Sequence, residues 1–241
     1  MRTALLSDVH ANLEALQAVL RAVDERDLDR VLCLGDVVGY GASPNECLNL
    51  VRERSQMVLL GNHDSAASGG GEAARFNPNA KTAALWTAKV LTHQNRDYLR
   101  SLPLSRHLKP YFYVHASPAA PRDWEYIFDR FDAEPQFQFF TEQSCFIGHT
   151  HQPAIFERTN SGCVSLPPTQ HRLDPDRRYI VNVGSVGQPR DRDPRACFVI
   201  LTEPEGLVEF VRVPYDIEAS QEKIRSANLP LVLAARLSAG E

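Results

Sequence analysis

The sequence predicts an α/β fold, and two observations lead to this prediction. First, five short apolar runs each end in aspartate, histidine or asparagine side chains, at residues 5–10, 31–36, 58–64, 111–115 and 145–151. Short runs of this kind are typical of buried strands. Second, segments with helical patterns separate the first three runs, which favours right-handed βαβ units around a parallel core. Because the carboxyl ends of parallel strands meet at one edge of a sheet, we expect the polar side chains to converge there.

The first part of the chain is predicted to alternate strands with helices. Asn12 is placed to cap a helix whose apolar positions recur every three or four residues, namely Leu13, Leu16, Leu20 and Val23. After the second strand, Ser43 and Glu46 match a capping box, with Pro44 at the first helical position. A third strand is expected over residues 57–60.

A loop and two helices are predicted to follow the third strand. Residues 65–79 are rich in glycine, alanine and serine, which indicates a flexible loop. This loop directly follows the polar end of the third run, so it is expected to border the site. Helices are expected over residues 80–91 and 95–102.

Strands dominate from residue 111 onward. They are expected at residues 111–114, 145–147, 154–156, 164–166, 179–183, 196–201 and 207–213. Residues 159–162 are expected to form the loop of a hairpin. The chain is predicted to end in a helical stretch from about residue 217, broken at Pro230. Since no repeat or linker divides the sequence, residues 1–241 are expected to form a single domain.

Composition narrows the class of protein. The formal net charge is −4 and the isoelectric point is near 6.1, so no overall attraction to nucleic acid or membrane is expected. Five cysteines without a C-x-x-C pair argue against a disulfide framework. No apolar stretch approaches the ~18 residues of a membrane-spanning helix, and the apolar stretch at the first residues is too short for the pattern of a signal peptide. We therefore expect a cytoplasmic protein with a small-molecule substrate; composition leaves the oligomeric state open.

The side chains at the strand ends are of the types that bind metal ions. Asp8 and His10 are two residues apart, so both can face the same side, and His149 and His151 repeat this spacing. A carboxylate such as that of Asp36 has two oxygens and can bridge two ions. Asn62 and His115 offer an amide oxygen and a neutral imidazole. Each residue alone is equally explained as a buried polar group.

Taken together, these residues predict a two-metal hydrolytic centre. Five of the eight histidines lie at these strand ends, an arrangement that chance does not readily produce. The remaining three, His93, His107 and His171, are interpreted as surface or helix-face residues. Mixed oxygen and nitrogen ligands without cysteine suit Mn, Fe, Co, Ni or Zn, and we expect Mn or Fe.

The order of these motifs resembles that of calcineurin-like metallophosphoesterases. The motifs are Asp8-x-His10, Gly35-Asp36, Gly61-Asn62-His63-Asp64, His115 and Gly148-His149-Thr150-His151. Residues 182–190 extend the resemblance to the compact prokaryotic, phosphodiesterase-like branch. The resemblance implies a four-layer α-β-β-α sandwich with two mixed sheets. It also implies a pair of divalent ions at the carboxyl ends of the strands.

The resemblance assigns roles to individual residues. One ion would be bound by Asp8, His10, Asp36 and His151, and the other by Asp36 as a bridge together with Asn62, His115 and His149. His63 would act as the acid that protonates the leaving group, a contribution typically worth ~10²–10⁴-fold in rate. Asn62 would also contact the substrate. Asp64, which is grouped with the catalytic residues, either orients His63 or caps the turn.

The sequence departs from the protein phosphatases of this family. Those enzymes carry Gly-Asp-x-x-Asp-Arg-Gly around the bridging aspartate, whereas residues 35–41 here contain neither the second aspartate nor the arginine. Ala116 also stands where glycine is usual after the histidine. The predicted function is therefore hydrolysis of small phosphodiesters. The alternatives are a phosphoserine or phosphothreonine protein phosphatase and, in a different class, a non-catalytic binding scaffold.

Several other side chains are candidates for contacting the substrate. Arg190 and Arg192 can bind phosphate through bidentate hydrogen bonds, or form surface ion pairs with neighbouring aspartates. Trp124 and Tyr126 can stack on a base or an aromatic leaving group, or serve only in packing. Because no large insertion separates the motifs, we expect an open cleft.

Overall fold

The computed structural model describes residues 1–241 and contains twelve strands in two sheets of six. The strands are β1 (Arg2–Leu6), β2 (Arg30–Cys33), β3 (Met57–Val58), β4 (Ser105–Leu108), β5 (Tyr111–Val114), β6 (Ser144–Ile147), β7 (Ala154–Thr159), β8 (Gly162–Leu166), β9 (Gln170–Arg172), β10 (Arg178–Asn182), β11 (Ala196–Thr202) and β12 (Leu207–Val213). The strand order is β3-β2-β1-β11-β12-β9 in the first sheet and β4-β5-β6-β10-β7-β8 in the second.

Each sheet has a parallel part and an antiparallel part. In the first sheet β1, β2 and β3 run parallel, and β11, β12 and β9 pair antiparallel. In the second sheet β5, β6 and β10 run parallel, while β4, β7 and β8 pair antiparallel. The strands that end in the metal-ligand motifs all belong to these parallel parts.

The two sheets pack against each other through one apolar layer. Leu5 and Leu32 of the first sheet belong to the same buried cluster as Tyr113, Phe146 and Val181 of the second. This contact brings the carboxyl ends of β1 and β2 towards those of β5 and β6. Side chains from both sheets therefore meet at a single site.

Eight helices surround the sheets. They are α1 (Leu13–Asp24), α2 (Pro44–Arg54), α3 (Asn62–Ser68), α4 (Pro78–Val90), α5 (His93–Ser101), α6 (Arg130–Gln136), α7 (Ile217–Ser226) and α8 (Leu231–Ala239). Leu16 of α1 and Leu48 of α2 pack with residues of the first sheet, such as Phe198. Ala133 of α6 packs with Phe112 of the second sheet. The four-layer α-β-β-α arrangement is confirmed.

Most predicted elements are present, and the differences have local causes. The flexible loop predicted over residues 65–79 is wrong in part, because α3 extends to Ser68 and a 3₁₀ helix spans Glu72–Arg75. Asn12 caps α1 by accepting from the backbone N–H of Ala15 at 3.1 Å. Ser43, in contrast, makes no side-chain capping bond to α2. None of the helices combines the length and the apolar character needed to cross a bilayer.

Candidate metal centre

The site lies where the parallel strands of both sheets end. Asp8 and His10 follow β1, and Asp36 follows β2. His115 follows β5 directly, and two further histidines follow β6. Asn62 is the first residue of α3, shortly after β3. The structure thus brings together all seven side chains that the motifs single out as ligands.

The backbone at the site adopts a conformation that non-glycine residues rarely occupy. Five of the seven candidate ligands have a positive φ: Asp8 (54°), His10 (50°), Asp36 (52°), His149 (69°) and His151 (61°). Such residues typically cost about 1–3 kcal/mol each. Backbone hydrogen bonds between the loops hold the conformation, for example from Asp8 N to the Gly35 carbonyl at 3.0 Å and from His10 N to the Asp36 carbonyl at 3.0 Å. This strained backbone conformation directs the side chains towards a common point.

The two buried aspartates each use one oxygen for the protein and leave the other unpaired. Asp8 Oδ2 accepts from the backbone N–H of His149 at 3.0 Å, and Asp36 Oδ1 accepts from that of His63 at 2.8 Å. Asp8 Oδ1 and Asp36 Oδ2 have no hydrogen-bond partner. A buried carboxylate oxygen without a partner is costly, so both oxygens indicate a cation that would satisfy them.

Backbone carbonyls orient the four candidate histidine ligands. The Nδ1 atoms of His10, His115 and His151 lie 3.0, 3.0 and 2.6 Å from the carbonyls of Val38, Leu34 and Gln188, respectively. His149 uses its Nε2 instead, at 2.9 Å from the carbonyl of Trp124. Donating one N–H to a carbonyl leaves the lone pair on the other ring nitrogen free to bind a metal, as is usual for metal-bound histidine.

These atoms form two adjoining groups. Asp8, His10 and His151 make one group, and Asp36, His115 and His149 make the other; within each, the ligand atoms lie within 4.8 Å of one another. Asp36 Oδ2 lies 3.7 Å from His10 Nε2 and 3.4 Å from His115 Nε2, between the groups. The donor set of carboxylate oxygens and imidazole nitrogens fits two divalent transition-metal ions.

Two glycines allow the loops to approach one another this closely. A Cβ at Gly61 would lie 2.0 Å from Asp36 Oδ1, and a Cβ at Gly148 would lie 2.5 Å from Asp8 Oδ2. Neither position has room for a side chain. The glycine that precedes Asn62 and the one that precedes His149 are therefore required by the packing of the aspartates.

Asp36 and Asp8 carry the negative charge of the site. Burial alone would raise the pKa of the Asp36 carboxyl, but the neighbouring imidazole of His115, through its charge and its hydrogen bond, holds it well below its usual range. Burial would likewise lower the pKa of His115, but Asp36 raises it to about 9. Burial and the Asp36 carboxylate raise the pKa of Asp64 to about 7. Asp36 and Asp8 are thus the carboxyls near His115 that carry a negative charge at neutral pH.

Asp64 accepts hydrogen bonds from the backbone of the turn and makes none with the ring of His63. Its Oδ1 accepts from Val38 N at 3.0 Å and its Oδ2 from Gly61 N at 3.2 Å. His63 Nδ1 is buried without a hydrogen-bond partner. The sequence left two roles open for Asp64, orienting His63 or capping the turn. These contacts agree with capping the turn.

Aromatic rings position His63. The ring of Tyr40 lies 4.4 Å from that of His63 between centroids, and the ring of Phe76 lies at 4.5 Å. A Cβ at Gly39, where the protein phosphatases carry aspartate, would lie 2.6 Å from His63 Nδ1. Sequence reasoning missed Tyr40 and Phe76. The nearest available signal was the replacement of the family's Asp-Arg by Gly39-Tyr40.

Of the other candidate substrate residues, Arg190 and Tyr126 lie at the site. Both line a recess of about 150 Å³ together with Tyr40, Asp36, Asn62, His63, His149 and His151. The ring of Tyr126 stacks on His149 at 4.1 Å, whereas Trp124 contributes its carbonyl to that histidine. Arg192 is exposed and does not line the recess. Asp191 and Asp193 pair with Arg212 and Arg195, not with Arg190.

Comparison with known proteins identifies the class. A profile of the calcineurin-like phosphoesterase superfamily domain matches residues 1–206. The chain therefore belongs to the calcineurin-like phosphoesterase superfamily, as its motifs predicted. It is a metal-dependent phosphoric ester hydrolase, in a family that works with divalent metal ions.

Individual relatives support this assignment. An uncharacterised protein of Methanocaldococcus jannaschii is 40% identical over 241 residues, which cover 98% of this chain and 97% of that protein. The crystal structure of a metallophosphoesterase from Sphaerobacter thermophilus is 41% identical, with a TM-score of 0.89 and coverage of 100% and 99%. The symmetrical bis(5′-nucleosyl)-tetraphosphatase of Shewanella loihica is 31% identical over 129 residues, 52% of this chain and 47% of that enzyme.

Proposed function

We propose that this enzyme hydrolyses small phosphodiesters and phosphoanhydrides of nucleotides, using two divalent ions bound by seven side chains. Asp8, His10 and His151 bind one ion, His115, His149 and Asn62 bind the other, and Asp36 bridges them. The observation that carries the proposal is the position of Asp36 Oδ2, unpaired and within 3.7 Å of an imidazole from each group. Asn62 adds an amide oxygen that is also buried without a partner.

The chain's own residues hold and orient the substrate in this scheme. Ions of this kind lower the pKa of water and neutralise phosphoryl oxygens. Arg190 binds a non-bridging oxygen of the ester from the other side of the recess, and Asn62 directs its amide N–H₂ at the same phosphate. Tyr126 covers His149 and limits access of water from that side. The phosphate is thereby fixed with its leaving group directed at His63.

His63 supplies the proton for the leaving group. Burial lowers the pKa of His63 to about 3; the Asp36 carboxylate opposes this shift, and the positive charge of Arg190 adds to it. The imidazole is therefore neutral at pH 7 in the empty recess. The negative charge of a bound phosphate ester favours its protonation, so we propose that the acid form arises in the complex with substrate.

A nucleotide diester or anhydride is the preferred substrate class. Support comes from the relative of Shewanella loihica, which is a bis(5′-nucleosyl)-tetraphosphatase, and from Gly39 and Tyr40 in place of the aspartate and arginine of protein phosphatases. Exposed aromatic rings beside the recess fit the same class, since Tyr126 and Phe128 stack on each other at 5.1 Å. A base stacked on such a pair typically gains about 1–3 kcal/mol.

We further propose Mn or Fe as the working ions and the cytoplasm as the compartment. Imidazole and carboxylate together, without thiolate, suit these metals, and availability decides among them as much as affinity does. The five cysteines are buried free thiols, which suits a reducing environment. Elemental analysis of the protein from its native host identifies the metal; a site filled only with Mg²⁺ or Ca²⁺ would contradict this choice.

A substrate panel tests the proposed function. The enzyme, loaded with Mn²⁺, is assayed with bis-p-nitrophenyl phosphate, p-nitrophenyl phosphate, a cyclic nucleotide, a dinucleoside polyphosphate and phosphoserine and phosphothreonine peptides. We expect diesters and anhydrides to exceed monoesters and peptides in kcat/KM. A preference for phosphopeptides above ~10²-fold, about 2.7 kcal/mol of transition-state binding, would contradict it. Absence of turnover on every ester, with stoichiometric binding of a protein partner, would favour the scaffold alternative.

A further inference from the structure

Two arginines share a single neutral acceptor beside the metal centre. Gln188 Oε1 accepts from Arg190 Nη2 at 2.7 Å and from Arg236 Nη1 at 3.3 Å. Because both neighbours are donors, the amide oxygen, and not the amide nitrogen, must face them. Arg236 belongs to α8 and is 48 residues further along the chain than Gln188.

Neither guanidinium has an anionic partner. No carboxylate lies within ion-pair distance of Arg190 or Arg236, whereas Arg195 and Arg212 nearby are paired with Asp193 and Asp191. The Nε atoms of both Arg190 and Arg236 are buried without a hydrogen-bond partner. Burial and then the charge of Arg190 lower the pKa of Arg236. Two like charges held together without an anion are unfavourable, and an anionic ligand would relieve this.

The pair is joined directly to the metal centre. Gln188 accepts from Nδ1 of His151 with its backbone carbonyl and from both arginines with its side chain. Arg190 lines the recess over Asp36 and His63, and its guanidinium lies 5.6 Å from the centroid of Tyr40. Arg236 does not line the recess. It lies farther from the recess than Arg190, to which it is connected through Gln188. A ligand that reaches Arg236 must therefore extend beyond the phosphate in the recess.

We propose that Arg190 and Arg236 form a clamp for a second phosphate, with Arg190 between this phosphate and the one at the metal centre. The substrate class of this enzyme is then a nucleoside polyphosphate, with two or more phosphates in a row, rather than a simple diester. Guanidinium groups bind phosphate through paired, charge-assisted hydrogen bonds. This inference rests on the proposed function, because it names the substrates of the same site.

Kinetics with a matched pair of substrates test the clamp. The Mn²⁺-loaded wild type and Arg236→Gln are assayed with diadenosine tetraphosphate and with bis-p-nitrophenyl phosphate, which has a single phosphate. We expect Arg236→Gln to lower kcat/KM for the tetraphosphate by about 10- to 100-fold, the loss expected for a charge-assisted hydrogen bond. The same variant should change kcat/KM for the single phosphate less than about threefold.

Two further variants separate the clamp from general effects. Arg225→Gln removes one positive charge from the neighbouring helix α7, where Arg225 is paired with Glu222, and should leave both substrates unaffected. Arg236→Lys keeps the charge and should recover part of the lost activity. Equal losses on both substrates in Arg236→Gln, or an equal loss in Arg225→Gln, would overturn the clamp.

Equilibrium binding gives a readout that does not depend on turnover. Calorimetry compares AMP with α,β-methylene-ADP, a non-hydrolysable ligand with two adjacent anionic groups. The wild type should bind the second ligand at least tenfold more tightly, and Arg236→Gln should remove this difference. If the wild type binds the two ligands equally, the clamp is wrong even if the enzyme hydrolyses diesters. If the difference depends on Arg236 but no ester is hydrolysed, the clamp stands and the proposed function fails.

Discussion

His63 is proposed to act in catalysis without binding a metal ion. It lies in the recess between Tyr40 and Phe76, and it belongs to neither group of clustered ligand atoms. We predict that His63→Ala lowers kcat on bis-p-nitrophenyl phosphate by ~10²–10⁴-fold and keeps both ions. Activity assays and elemental analysis of the same preparation measure this. His93→Ala, at a histidine whose side chain is 87% exposed, is the control. Loss of bound metal in His63→Ala would mean that His63 is a ligand.

Gly61 tests the close packing of the loops. Its substitution by alanine would place a Cβ 2.0 Å from Asp36 Oδ1 and 2.4 Å from Asp36 N. We predict that Gly61→Ala displaces Asp36 and leaves at most one ion per chain. Gly71→Ala is the control: its φ of 91° makes alanine strained there, but no heavy atom lies within 4 Å of the added Cβ, so this variant should retain two ions. Two ions in folded Gly61→Ala protein would show that the position tolerates a side chain.

Among individual residues, the sequence indicated those of metal-binding types, and it missed residues of types that are common in packing and in hydrogen bonding. Asp8, His149 and the other candidate ligands were recognisable because several metal-binding types recur at strand ends. Tyr40, Phe76 and Gln188 are common packing and polar residues, and only their positions make them relevant. Arg236 lies on a helix that no motif connects to the site, so its approach to Arg190 depends on tertiary structure.

Helix α1 begins at a residue that also ties distant parts of the chain together. Asn12 Oδ1 accepts from Ala15 N at 3.1 Å and from Ser220 Oγ at 2.9 Å, and its Nδ2 donates to the Gly187 carbonyl at 2.8 Å. We predict that Asn12→Ala lowers the free energy of unfolding by about 2–4 kcal/mol, since it removes a cap and two buried hydrogen bonds.

The matched control for this prediction is a cap without the additional contacts. Asn77 caps α4 by accepting from Ala80 N at 3.0 Å and is exposed, so Asn77→Ala should lower the free energy of unfolding by about 1 kcal/mol. Urea denaturation measures both variants. Equal losses would indicate that the contacts of Asn12 to α7 and to Gly187 contribute nothing.

Elements with a strong apolar pattern were predicted well, and elements without one were not. β5 and β12 agree with the prediction at both ends because aromatic and β-branched residues are frequent in both. β4 and β9 were missed because they are mostly exposed edge strands with polar sequences. α6 was also missed, since Pro135 lies inside it. Residues 65–68 of α3 were predicted as part of a loop, because small residues are typical of loops.

We expect bound ions to contribute to the stability of the molecule as a whole. Without them, the buried oxygens Asp8 Oδ1 and Asp36 Oδ2 have no partner. Ions that bind only the folded state stabilise it by about 2.7 kcal/mol at 100 times their Kd. We predict that Mn²⁺ raises the Tm of EDTA-treated protein by about 5–10 °C, measured by calorimetry. An unchanged Tm would contradict a preformed site inside the fold.

The arrangement of the two sheets is the part of the fold that residue patterns alone do not provide. Strand positions follow from local patterns, but the packing of Leu5 and Leu32 in one buried cluster with Phe146, across the sheets, is a tertiary feature. The resemblance of the motifs to a known family supplied the four layers. The convergence of ligands from both sheets follows from that packing.

The substitution Asp36→Asn tests the central claim, a two-ion site joined by one carboxylate. The amide keeps Oδ1 as acceptor for the backbone N–H of His63 and replaces the unpaired Oδ2 with N–H₂. Asp97→Asn, at an exposed carboxylate, is the control. Metal content and hydrolysis of bis-p-nitrophenyl phosphate are measured on the same Mn²⁺-loaded samples.

We predict two ions in the wild type and in Asp97→Asn. In Asp36→Asn we predict at most one ion and a loss of kcat/KM of about 10³-fold or more, about 4 kcal/mol. Two ions and near-wild-type hydrolysis in Asp36→Asn would contradict the account.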